Sequence, residues 1–169
     1  MKIRLIPTLL LMMTSATPAY SAVTVKTSID VLAEISTAVH IYVDGKDVTD
    51  SAFSLKLEDQ EGYMKGVTPI FHFIGNASSV SLSLNTPANS ELISDNSDRM
   101  KLYTYWLRVD GGAASADYSL NNQQVYATLA DVPDQQKGIK VGFRSTQRSE
   151  TYPLGSYRGT FDVIVSPSV

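Results

Sequence analysis

The chain has 169 residues, no cysteine, two histidines and 18% charged residues, below the ~25% of an average soluble chain. That length makes one domain and is short for two. The missing cysteine excludes disulfides, thiolate nucleophiles and cysteine-based zinc sites. The net charge of −3, with no basic stripe, disfavours phosphate backbones as partners.

Met1-Lys2-Ile3-Arg4 gives a short basic start, and an apolar run from Leu5 to Met13 follows, broken by Pro7 and Thr8. Small residues then lead to Ala19-Tyr20-Ser21-Ala22. This is the three-part pattern of a secretory signal peptide, expected over 1–22, with cleavage after Ser21 or after Ala22. The apolar run is short of the ~20 residues that span a bilayer. Removing Lys2 and Arg4 leaves 12 basic against 17 acidic residues in about 147. An exported chain with no span in its mature part is expected.

Beyond this segment the pattern is strand-like throughout. Val23, Val25, Thr27, Ile29 and Val31 alternate with Thr24, Lys26, Ser28 and Asp30, which puts one face in an apolar environment and the other in water. Asp30 to Ala38 is the one weak helix candidate. His40 to Val43 is a short strand closed by the turn pair Asp44-Gly45. Phe53, Leu55 and Leu57 predict a strand by alternation, Pro69 to Ile74 another, and Val80, Leu82 and Leu84 a third. Asn89 to Asp98, rich in Asn, Asp and Ser, reads as a loop. Leu102 to Val109 is the most apolar strand, stopped by Asp110-Gly111-Gly112. Its alternation groups Tyr103, Tyr105, Leu107 and Val109 on one face, expected in the core, with Trp106 on the other. Val125 to Leu129 alternates weakly, Ile139 to Phe143 is a short strand, and Gln147 to Gly155 is polar. Tyr157, Gly159, Phe161, Val163 and Val165 alternate strictly as a last strand. Many short strands between turn signals predict an all-β fold of the sandwich type.

Catalytic chemistry has little footing. His72, between Phe71 and Phe73, is expected on the opposite face, toward solvent or a loop. His40 has no acidic or histidine neighbour at ligand spacing. Asp44-Gly45-Lys46-Asp47 and Asp95-Asn96-Ser97-Asp98 lack the ligand spacing and closing Glu of an EF-hand and read as turns. No nucleophile elbow or phosphate loop is present. A pair of glycosidase carboxylates is not singled out. Asn76-Ala77-Ser78 is a glycosylation sequon, and Tyr103, Tyr105 and Trp106 form an alternative sugar-stacking patch. No catalytic residue, metal or cofactor is expected.

The N-terminal alternating run poses the main question. Burying its five inward side chains is worth about 5–10 kcal/mol before entropy costs, comparable to the stability of a small domain. It completes its own sheet or enters a neighbour's.

Thr24-Val25-Lys26-Thr27-Ser28-Ile29-Asp30-Val31-Leu32 resembles the mature N-terminus of major pilins of the class 5 (alpha) chaperone–usher fimbriae, the colonization factor antigen I type. Phe71-His72-Phe73-Ile74-Gly75-Asn76-Ala77, followed by Val80 to Thr86 and Pro87, resembles the family's central strand pair. Gly155 to Val163 resembles its final G-x-Y-x-G strand. Family members usually carry Pro where this chain has Val31, and Leu102 to Gln147 does not align.

The resemblance implies an incomplete immunoglobulin-like β-sandwich with an N-terminal donor strand. Residues 23–35 would form the donor extension and the start of the first strand, and 36–169 the pilin domain. Val23, Val25, Thr27, Ile29 and Val31 would be the donor face. Tyr157, Gly159, Phe161, Val163 and Val165 would line the acceptor groove or its edge, with Gly159 leaving space for a close approach. The implied partners are identical subunits in a head-to-tail fibre, a periplasmic chaperone, an outer-membrane usher and, further, a tip adhesin. The implied function is a fimbrial subunit that supports bacterial adhesion, displayed on the cell surface. The competing readings are a monomeric secreted immunoglobulin-like module binding carbohydrate or protein, and a hydrolase using carboxylates.

Overall fold

The computed structural model describes Ala33, residues 36–108 and residues 112–168. The expected donor residues Val23, Val25, Thr27, Ile29 and Val31 lie outside the described residues, as do the signal segment and most of the weak helix candidate. Ile35–Val169 forms one compact unit.

The described chain is all-β. Thirteen strands run in order: β1 (Val39–Val43), β2 (Lys46–Asp47), β3 (Glu58–Gln60), β4 (Tyr63–Val67), β5 (Phe71–Gly75), β6 (Ser79–Asn85), β7 (Glu91–Ser94), β8 (Arg99–Arg108), β9 (Ala113–Ser115), β10 (Leu120–Tyr126), β11 (Ile139–Ser145), β12 (Tyr157–Arg158) and β13 (Asp162–Ser168). The described helices are three-residue 3-10 turns. The sheet is open, and its main path is β12-β7-β8-β11-β5-β10-β6-β13. It is mixed, because β10 joins β5 in parallel, Val125 opposite Phe73. Leu92 of β7 and Val80 and Leu82 of β6, from the two ends of that path, belong to one buried cluster. The sheet thus closes over itself, an arrangement consistent with a β-sandwich.

Local chemistry explains the joints. Asp44 and Gly45 both take positive φ, 48° and 74°, as a two-residue hairpin turn between β1 and β2 requires. β4 and β5 are nearly one strand, interrupted at Thr68-Pro69-Ile70. Pro69 has no N–H to give to a ladder. Thr68 bridges the break: its N–H donates to Val141 O at 2.9 Å, and its hydroxyl accepts from Val141 N at 2.9 Å. Beyond it, β5 meets β11 only at Phe71 opposite Ile139, and β10 takes over that edge.

β8 and β11 form a continuous seven-residue ladder, antiparallel from Ile139 opposite Arg108 to Ser145 opposite Leu102. It sets which side chains enter the core. Met100, Leu102, Thr104 and Trp106 point inward, with Trp106 1% exposed. The Trp106 indole N–H donates to Tyr118 O at 3.1 Å, which satisfies its one polar atom. Tyr103 is 51% exposed, and Tyr105 and Leu107 are half-buried on the outer face. The expected parity is therefore reversed over 103–107, with Trp106 in the core and the tyrosines outside, while Val109 lies outside the described residues. Alternation separates two faces but does not say which is inner, and tyrosine with its hydroxyl suits either.

Two further expectations change. Phe53, Leu55 and Leu57 make no strand. The segment packs Leu55 and Leu57 against the core without a ladder. Within the expected loop 89–98 lies β7, whose Leu92 is buried and which pairs with β8. The turn chemistry of Asp95 to Asp98 is real, but the hairpin it closes begins earlier. Of the two surroundings expected for His72, solvent or a loop, it meets the loop: the 137–138 segment covers this face of β5 and buries the ring. Its Nε2–H donates to Lys137 O at 3.0 Å.

Trp106→Ala is expected to cost about 3–5 kcal/mol, and Tyr103→Ala under about 0.5 kcal/mol. Guanidinium unfolding of the two variants checks this, and equal losses would restore the opposite parity.

Candidate assembly edge

The last strand, β13, pairs with β6 over seven consecutive residues, from Asp162 opposite Asn85 to Ser168 opposite Ser79. Both ends are fixed. Asn85 Nδ2 donates to Asp162 Oδ2 at 3.1 Å, and the Ser78 N–H and hydroxyl both donate to Ser168 O, at 3.1 and 2.9 Å. The apolar residues of β13 sort by alternation: Val163 and Val165 lie opposite Leu84 and Leu82 and pack against the core, while Ile164 points out, 46% exposed.

Burial changes sharply across this strand pair. Val80 and Leu82 of β6 are fully buried. Val163 and Val165, one strand further out, are half-buried. Among the described residues β6 is the one strand that β13 pairs with. Among the described residues its other edge joins no ladder, and it is interrupted at Pro167, a residue that edge strands tolerate. Chemically, such an edge accepts an extended segment whose alternate side chains extend the apolar row.

The expected acceptor residues do not all lie on this edge. The run from Tyr157 to Val165 is split between two strands. Tyr157 and Arg158 form β12, paired with Ser94 and Ile93 of β7, and residues 159–161 cross to β13. A Cβ on Gly159 would come within 2.8 Å of the Leu92 side chain, so β7 fills the space over it. Phe161 crosses with its ring edge-on to Phe143 of β11, centroids 5.0 Å apart. The Tyr157 hydroxyl donates to Pro153 O at 2.8 Å, and its ring meets Tyr152 at 6.3 Å. Desolvation raises the Tyr157 phenol above its usual pKa, with Asp98 and Tyr152 adding to the effect. Val163 and Val165 thus share the edge, Phe161 leads into it, and Tyr157 and Gly159 sit at the β7 end of the sheet.

Residues 36–38, where the continuous described chain begins, lie beside Asn76. Asn76 Oδ1 accepts from Ala38 N at 2.7 Å, and its Nδ2 donates to Ser36 O at 3.1 Å. Both polar atoms of the sequon's amide are therefore engaged in clamping residues 36–38. Sequence spacing alone does not reveal this clamp, because its partners are about forty positions apart.

The two histidines also have structural roles. The β1–β2 hairpin brings His40 Nδ1 to Asp47 Oδ2 at 2.9 Å, an exposed pair seven residues apart. The Asp47 carboxyl is held below its ordinary pKa, first by the Thr49 hydroxyl and backbone N–H, then by His40. Among the described residues no group of three or more His, Asp or Glu side chains is placed to hold a metal ion.

A carboxyl whose folded pKa is depressed contributes stability that is complete above its unfolded value and is lost as pH falls through the folded one. Between pH about 5 and 2 the chain is expected to lose thermal stability that Asp47→Asn lacks at every pH. Melting curves at several pH values check this, and parallel acid limbs for the two chains would contradict it.

No family model matches the chain, and neither does any curated protein or solved structure.

Proposed function

We propose that this chain is a structural pilin subunit. On this reading the domain is an immunoglobulin-like sandwich short of one strand, exported through the periplasm and polymerised by donor-strand exchange through a chaperone and an outer-membrane usher. The resulting fimbrium supports adhesion of the bacterium to host surfaces. The observation that carries the reading is the β13 edge, where Val163 and Val165 continue the fully buried row of β6 but are only half-buried themselves.

The N-terminal run supplies a matching donor. Val23, Val25, Ile29 and Val31, with Thr27 in the middle of the row, present a mainly apolar set of side chains at the two-residue spacing that such an edge reads. A donor at one end of the chain and an acceptor formed by the other make a head-to-tail contact, which extends as an open filament. The clamp at Asn76 ties residues 36–38 to the domain and so sets the point from which the proposed donor run would extend. The absence of cysteine fits as well, since an exported domain without disulfides needs another source of stability.

Deleting residues 22–31 is expected to leave a chaperone-bound subunit that does not polymerise. Val165→Lys is expected to have the same effect from the acceptor side. Co-expression with a fimbrial chaperone and usher, size-exclusion chromatography and electron microscopy of the products read the outcome. Fibres from the truncated chain, or a stable monomer of the intact mature chain without any chaperone, would overturn the proposal and favour the secreted binding module.

A further inference from the structure

The outer face of β4, β11 and β8 is chemically unlike the rest of the chain. The registers set rows side by side: Lys65, Arg144 and Tyr103 lie across from one another, and so do Val67, Gly142 and Tyr105. A Cβ on Gly142 would collide with the Tyr105 ring. The glycine therefore lets that ring lie across β11 instead of standing off it. Tyr103 stacks beside it, ring centroids 6.0 Å apart and planes 25° from parallel. The Arg144 guanidinium sits over the Tyr63 ring, 4.0 Å from its centroid, and extends the platform to β4.

Six of the fourteen basic residues gather on or beside this face: Lys65, Arg99, Lys101, Lys140, Arg144 and Arg148. Three are neutralised locally, Lys65 by Glu61 at 2.7 Å, Arg99 by Glu91 at 2.8 Å and Arg148 by Glu150 at 2.6 Å. Among the described residues Lys101, Lys140 and Arg144 are in no ion pair of that kind. The same registers set Glu58 opposite Lys65 and Glu91 opposite Lys101, so the face carries both signs, but its six cations outnumber Glu58, Glu61, Glu91 and Glu150 in a chain whose net charge is −3.

We propose that this face binds an anionic oligosaccharide, with a sugar ring laid on the Tyr103–Tyr105 pair and its acid groups met by Arg144 and Lys140. The C–H face of a pyranose is apolar and polarised toward positive, and it complements the negative face of an aromatic ring. Guanidinium and ammonium groups beside it meet carboxylate or sulfate through charge-assisted hydrogen bonds. A peptide strand has no edge to join here, because β8 and β11 are bonded on both sides. A long nucleic acid would be repelled by the negative chain as a whole, whereas a short sugar with a few charges is not. The inference stands on this face alone and does not depend on the β13 edge.

The test uses the exported full-length chain in its own assembly state, with hyaluronan and chondroitin sulfate hexasaccharides as acidic probes and chitohexaose as the neutral one. Isothermal titration is expected to show binding of at least one acidic probe, weakened by salt, and none of the neutral sugar. Tyr103→Ala and Arg144→Gln are each expected to weaken binding about tenfold, with circular dichroism unchanged. Tyr118→Ala, which removes a 77%-exposed ring elsewhere, is expected to leave binding unchanged. No binding of either acidic probe would overturn the proposal. So would equal binding by the Tyr103 and Arg144 variants, or equal affinity for poly-glutamate or a DNA oligonucleotide.

Discussion

A β-strand has two hydrogen-bonding edges, and β13 uses one of them along its full described length. The candidate assembly edge follows from that constraint. The partnered edge fixes β13 on β6 and aims Val163 and Val165 at the core. Among the described residues the other edge joins no ladder, so the apolar row ends there at the half-buried Val163 and Val165. Three or more paired strands with a shared apolar face stabilise a sheet, but a long edge with apolar inward residues is also a template for another strand. The proposed assembly treats that edge as a site.

The rest of the fold makes the edge rigid. Fully buried Val80, Leu82, Val141 and Trp106 form the centre of the core, each worth about 1.5–3 kcal/mol or more in transfer terms. They come from β6, β8 and β11, so the layer behind β13 is already packed. Thr68 and the Pro69 break let β5 change neighbours from β11 to β10, which brings the β10-β6-β13 group over the β8–β11 ladder. A strand added at β13 would extend a preformed surface and would not have to organise one, which lowers the ordering cost of binding.

Period-two alternation made much of this fold legible. The Asp44-Gly45 hairpin, β5, β6, β8 and β11 were marked by apolar spacing and turn residues, and the all-β character followed from their number. The missed features share a cause, since each depends on a partner distant in sequence. The inner face of β8 is decided by what β11 and β6 bring to it, so Trp106 and the tyrosines exchange expected places. The alternation of Phe53, Leu55 and Leu57 brings side chains to the core without supplying a neighbouring backbone, so no strand forms. Tyr157 to Val165 reads as one strand because its alternation is unbroken, yet Leu92 lies over Gly159 and the chain changes sheets there. The aromatic and cationic outer face was half visible as a tyrosine pair, but Arg144 and Tyr63 join it only through the β4–β11–β8 registers.

The chain's lack of cysteine allows the central claim to be tested without background. Two pairs of single-cysteine variants are used, Thr27→Cys in the N-terminal run with Val163→Cys on β13, and Ile29→Cys with Val165→Cys to cover a shift in register. Each chain carries one thiol, so mixing the two variants of a pair during assembly and oxidising the product allows a cross-link only between subunits. The account predicts covalent dimers joining one subunit's N-terminal run to its neighbour's β13. No such dimer from either pair, together with ready closure of the same bridge inside a single chain carrying both cysteines, would show that the strand completes its own sheet and would contradict the account.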